Sequence, residues 1–160
     1  MSSIDGRFTL VFNGEIYNYR ELREELKRFG HKFNTASDTE VLLTAWAEWG
    51  VDVLRRLTGM FAFVVYDREE RSLYLVRDAF GIKPLFFHHD AQGLRFASEV
   101  SAILCLIDDR PMLNVQSVYN YLVSGSYDSM ANTFHQGINH LLPGHFLCVE
   151  LDTLQVNEAQ

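Results

Sequence analysis

Two strand–turn–strand patterns follow each other between Met60 and Ser98, and they restrict the fold more than any other part of the chain. "MFAFVVYDREERSLYLVRD" alternates aromatic and branched residues on either side of a charged turn at Asp67 to Arg71. "KPLFFHHDAQGLRFAS" repeats the design with a turn at Asp90 to Gly93. Consecutive hairpins pair antiparallel strands and leave no room for the helical crossovers of a parallel sheet. The fold class expected is therefore α/β in the broad sense, α+β in the strict one, with antiparallel sheets and packed helices.

The rest of the chain supplies the helices and the outer strands. "RFTLVF" alternates and reads as a strand ending at Asn13, where Asn13-Gly14 is a strong tight-turn dipeptide. Leu22, Leu26 and Phe29 recur at helical spacing until Gly30, and Glu24 stands four residues before Arg28 as a surface pair. "SDTEVLLTAWAEWG" opens with Ser37 or Asp38 as cap and buries Val41, Leu42, Ala45, Trp46 and Trp49. "VDVLRRL" makes a helical turn, "EVSAILCLI" a short helix, and "NVQSVYNYLVSG" a helix capped by Asn114 with Val115, Val118, Tyr119 and Leu122 on one face. "HQGINHLLPGHFLCVEL" ends the pattern with a loop and one more strand.

At 160 residues the chain has the size of one domain, and 48% hydrophobic content suits a packed core. A net charge of −7 disfavours nucleic acid as a partner, because phosphate binding needs clustered Lys and Arg. No apolar run reaches the length of a membrane span, and "MSSIDGR" has no signal-peptide core, so a cytoplasmic location is expected. Cys105 and Cys148 sit in apolar runs and read as core residues without metal spacing. His88-His89 reads as a solvated pair, and His135, His140 and His145 fall in loops. No metal site is expected.

The residues that suggest chemistry are Asn13, Gly14, Glu15 and Asp38. An amide side chain beside a glycine N–H can form an oxyanion hole, and two nearby carboxylates suit an ammonium group. The plainer reading is also open: a turn, a surface glutamate and a helix cap.

"FNGEIYNYRELREEL", "ASDTEVLLTAWAEWG", "LTGMFAFVVYD", "VRDAFGIKPLFF", "FASEVSAIL" and "LPGH" occur in one order over Phe8 to Val149. Together they resemble the glutaminase domain of glutamine-hydrolysing asparagine synthetases, which are class II, N-terminal-nucleophile amidotransferases. The resemblance implies an αββα sandwich of largely antiparallel sheets. It implies that Asn13 and Gly14 form the oxyanion hole, and that Glu15 and Asp38 hold the α-amino group of glutamine with Asn13 close by. Glutamine would be hydrolysed to glutamate and ammonia, and the ammonia used by a synthetase domain for ATP-dependent amidation of aspartate. No cofactor is implied for this domain; ATP and magnesium belong to the synthetase domain. "RDAFGIKPL" is expected to be a strand exit and rigid turn, and Tyr17 and Tyr19 to pack that first turn against its helix.

The family's nucleophile is an N-terminal cysteine, and this chain begins Met1-Ser2-Ser3. The resemblance therefore makes residues 1–160 a partial domain, with Met1 matching an internal methionine and the sandwich incomplete at its N-terminus. The thiol, the first strands, the carboxylate-binding arginine and the synthetase domain would all be missing, and the chain would be inactive alone. Exposed sheet edges would favour a homodimer or poor stability. Two alternatives stand beside this: a non-catalytic amino-acid-binding or protein-interaction domain, or the glutaminase part of an amidotransferase acting on a sugar or another metabolite.

Overall fold

A computed structural model of the chain describes residues 1–125 and 131–159. In chain order its elements are β1 (Phe8–Ile16), α1 (Tyr19–Arg28), α2 (Asp38–Trp49), a 3-10 turn (Gly50–Arg55), β2 (Gly59–Asp67), β3 (Ser72–Arg77), β4 (Phe86–Asp90), β5 (Gly93–Ala97), α3 (Val100–Leu104), α4 (Val115–Ser124), β6 (Ile138–His140), β7 (Phe146–Glu150) and β8 (Val156–Ala159). One sheet runs β1-β2-β3-β7-β8 and the other β5-β4-β6, with every pairing antiparallel. Both hairpins fall where the sequence puts them. β8 is an addition, folded back on β7 after a turn at Leu151.

β1 does not stop at Asn13. It continues to Ile16 because β2 offers a full-length partner, with Asn13 opposite Ala62, Gly14 opposite Phe61 and Glu15 opposite Met60. A turn dipeptide is thus absorbed into a strand by the pairing available to it.

Alternation along these strands divides the interior into layers. Leu10, Ile16, Phe61, Phe63 and Val65 face α1 and α2 and pack with Leu22, Leu26, Val41, Leu42, Ala45 and Trp46. Ala62, Val64, Leu75 and Leu147 face the other way and meet Leu85 and Leu141 between the sheets. Behind the second sheet, Ile103 of α3 packs on Phe86 and Ile138. The order is helix, sheet, sheet, helix.

Ser37 caps α2 by accepting the Glu40 N–H at 3.2 Å. Glu40 reaches back to the N–H groups of Asn34 and Thr35, both at 2.7 Å. Several side chains lie elsewhere than expected. Glu24 pairs with Lys27 rather than Arg28, and Phe29 is exposed at the end of α1, meeting edge-on the ring of Trp49, which is half-buried against the core with Arg56 over its face. Cys105 is exposed because α3 ends one residue before it; Cys148 is half-buried opposite Tyr74 on β7. His88 is not solvated: its ring bonds the Gly137 carbonyl at 2.8 Å and Asp90 at 3.1 Å. His140 closes β6, buried against Phe86, rather than lying in a loop. No residue of α4 is buried, so its apolar face lies open to solvent.

Candidate functional site

β1 alternates buried residues with exposed ones, and Asn13 and Glu15 belong to the exposed set. Strand pairing fixes where the backbone groups point. Leu10 exchanges hydrogen bonds with Met1, its N–H donating at 2.7 Å and its carbonyl accepting at 2.8 Å, and the Ile16 N–H leaves the sheet for Asp38. Even-numbered residues of β1 therefore face the outer edge, away from β2. Gly14 lies between Leu10 and Ile16 in this series, so its N–H is aimed off the edge. The Asn13 carboxamide projects from the adjoining face, and two donors stand at one corner of the sheet.

Gly14 has φ of 155° and lies hard against β2. A Cβ there would run into the Met60 carbonyl and lie 2.6 Å from the Phe61 Cα. Across the ladder, a Cβ on Gly59 would run into the Glu15 carbonyl. The two strands approach more closely here than side chains permit, and only glycine fits.

Asp38 arrives from the start of α2. Because Ser37 does the capping, the Asp38 carboxylate is free to turn towards β1, where Oδ2 accepts the Ile16 N–H at 3.0 Å. This bond brings Asp38 beside the residue that follows Glu15. The Glu15 side chain forms no hydrogen bond or ion pair among the described residues, and the residue is exposed. All four residues singled out in the sequence thus lie on or beside the last residues of β1, Asp38 through its bond to Ile16.

Arg77 and Asp78 do structural work, as the sequence suggests. Arg77 donates to the carbonyls of Lys83, Leu141 and Gly81 at 2.9, 2.7 and 2.8 Å. Asp78 accepts the N–H groups of Phe80 and Ile82 on one oxygen and of Phe61 and Lys83 on the other, at 3.0 to 3.2 Å. Both are buried, and the loop they hold displays Phe80 at 83% exposure. Beside it lies a largely apolar groove of about 710 Å³ whose lining includes Tyr17, Leu54, Phe61, Val76 and Phe146. Tyr17 is on this rim and more than half exposed, not packed on α1 as expected; Tyr19 does reach the core edge. Phe61 and Val76 assign the groove to the helix-side face of the sheet, opposite Asn13 and Glu15.

Sequence reasoning passed over Ser98, whose Oγ accepts from Asn13 Nδ2 at 3.0 Å. Its signal was weak: a serine just ahead of an apolar helix reads as a cap. Among the described residues no group of three or more His, Cys, Asp or Glu is arranged to hold a metal ion. None of the described helices is long and apolar enough to cross a membrane.

Comparison with known proteins places this geometry in context. Residues 1–159 match the family model described as the glutamine amidotransferase domain. A putative glutamine-hydrolyzing asparagine synthetase of Mycobacterium tuberculosis H37Rv is 41% identical over 152 residues, covering 92% of this chain and 23% of that protein. Asparagine synthetase 3 of Bacillus subtilis 168, also glutamine-hydrolyzing, is 35% identical over 149 residues, covering 93% and 24%. The chain thus spans about a quarter of the length of these curated relatives. Among solved structures, a glutamine phosphoribosylpyrophosphate amidotransferase of B. subtilis superimposes with a TM-score of 0.65 at 22% identity, covering 100% of this chain and 30% of that one. That likeness is one of fold, the αββα sandwich of largely antiparallel sheets expected from the sequence. The chain belongs to the glutamine amidotransferase domain family, and over this domain it is similar to glutamine-hydrolyzing asparagine synthetases.

Proposed function

We propose that the corner at the end of β1 is a glutamine site. Asn13 and the Gly14 N–H would stabilise the oxyanion formed when the side-chain amide is attacked, and Glu15 and Asp38 would hold the α-ammonium group. The observation that carries this reading is the direction of the Gly14 N–H, off the sheet edge and beside the Asn13 carboxamide, with the Asp38 carboxylate bonded to the second residue along. Donors fixed in place before the charge develops need no reorganisation when it does.

Hydrolysis also requires a nucleophile, and neither thiol of the chain stands at this corner. Cys148 lies on β7, separated from β1 by β2 and β3, and Cys105 follows α3. We accordingly read these 160 residues as a recognition site that releases no ammonia alone and works with a thiol brought by another segment. In the longer proteins it resembles, the ammonia would serve ATP-dependent amidation of aspartate in a synthetase domain, with ATP and magnesium used there and no cofactor here. A cytoplasmic location and a homodimer contact complete the proposal.

Titration calorimetry of the chain with L-glutamine, paired with an ammonia assay, tests it. Saturable binding is expected, weakened about ten- to hundredfold in Glu15→Gln, the worth of one charged hydrogen bond. No saturable heat, or an unchanged affinity in that variant, would overturn the glutamine site; ammonia release by the chain alone would overturn the need for an outside thiol.

A further inference from the structure

We infer that Ser98 is a positioning residue for the Asn13 carboxamide, and this rests on the glutamine reading of the site. An exposed asparagine on a strand is free to turn its terminal amide about a broad, two-fold torsion. The observed bond, Asn13 Nδ2 to Ser98 Oγ at 3.0 Å, links two residues 85 positions apart and carried by different sheets. It selects one orientation. Of the two hydrogens on Nδ2, one is given to Ser98 and the other is left to point elsewhere.

The serine is placed for this and occupied by nothing else. It follows Ala97, the last residue of β5, which pairs with Phe86 of β4. Phe86 is buried with Ile103 of α3, so both sides of the corner are anchored in the core. A serine ahead of a helix would ordinarily cap it. Here the cap position is Glu99, and no side-chain capping bond is made. Among the described residues the Ser98 hydroxyl bonds Asn13 alone, which leaves its own hydrogen available on the same side.

The consequence for the proposed reaction is selective. A carboxamide held in place before substrate arrives loses less freedom when it donates to a developing charge, and this is how supporting hydrogen bonds sharpen a site. Ser98 need touch no substrate atom to have this effect. A serine with only a structural role would leave the Asn13 side chain as it is when removed.

Nuclear magnetic resonance of the ¹⁵N-labelled chain separates these cases. The side-chain amide of Asn13, assigned by its disappearance in Asn13→Asp, is expected to show one downfield, slowly exchanging proton. In Ser98→Ala that proton moves upfield and the ¹⁵N relaxation shows a freer group; Ser98→Thr restores both. Glutamine binding should weaken about two- to tenfold in Ser98→Ala, the range for one neutral hydrogen bond, and recover in Ser98→Thr. Unchanged Asn13 resonances in Ser98→Ala overturn the inference, as does an unchanged glutamine affinity. If the unaltered chain binds no glutamine, the glutamine reading falls, and the resonances alone then decide whether Ser98 positions Asn13.

Discussion

The two helical layers of this sandwich are built to different standards. On one side α1 and α2 bury Leu22, Leu26, Val41, Leu42, Leu43, Ala45 and Trp46 against three strands, and Trp46 meets both Phe63 and Tyr74 ring to ring. On the other side α3 sends a single fully buried side chain, Ile103, into its sheet, and α4 buries none. α4 nevertheless carries an apolar stripe, with Leu122 at 76% exposure. Helix sequence alone did not make this difference, since α2 and α4 both have capped starts and apolar faces. What differs is the surface each one meets. Asp38 stands at the head of the well-packed helix, so the candidate site leans on the half of the molecule that is most firmly held.

Core substitutions give the sharpest test of that asymmetry. Trp46→Ala should cost about 3–5 kcal/mol of stability, as aromatic truncations in packed cores do, while Leu122→Ala should stay within about 0.5 kcal/mol. Urea denaturation of both variants decides it; equal losses would mean that α4 is as well buried in solution as α2. A smaller effect is expected at Asp78, whose removal strands the buried Phe61 N–H and the part-buried N–H groups of Phe80, Ile82 and Lys83. Asp78→Ala should cost about 1–3 kcal/mol in the same measurement, and the loop amides should exchange faster with solvent.

The mildest effect belongs to the thinner half and depends on pH. Burial opposes ionisation of Asp90, but hydrogen bonds from Arg95, the Gln92 N–H and His88 outweigh it and bring its pKa from 3.8 to about 2. The folded chain therefore holds the Asp90 proton less tightly than the unfolded one. Stability from this turn is complete above the ordinary value and drains away as the pH falls through about 2. Melting temperatures recorded from pH 5 to pH 2 should fall less steeply in Asp90→Asn than in the unaltered chain.

Much of this molecule can be read in the sequence where a local signal and its tertiary setting agree. The hairpins at Asp67 to Arg71 and Asp90 to Gly93, the Ser37 cap and the stripe from Val41 to Trp46 are of this kind. The misreadings have two causes. Asn13-Gly14 has the chemistry of a turn and His140 that of a loop, and for both a distant segment decided otherwise; Cys105 and Phe29 sit in apolar patterns whose helices end just before them. β2 drew Asn13-Gly14 into a strand, α3 ended just short of Cys105, and Phe86 covered His140. The site was legible as a set of residues, because the carboxylates and the amide are close in sequence. Ser98 was not, since its bond to Asn13 joins two sheets that no local pattern relates.

The crowding of β1 against β2 also limits how such a chain can diverge. At Gly14 and Gly59 the obstacle to any side chain is the opposing main chain, the Met60 and Glu15 carbonyls respectively. A shrinking mutation in a neighbour opens no room when the neighbour is backbone, so neither position has a compensating partner. Drift is blocked at both glycines at once, so the close approach of β1 and β2 is kept while the side chains around it change. New specificities would have to be written by side chains that lean on this seam, at positions such as 15, 38 and 98, with the seam as the unchanging template.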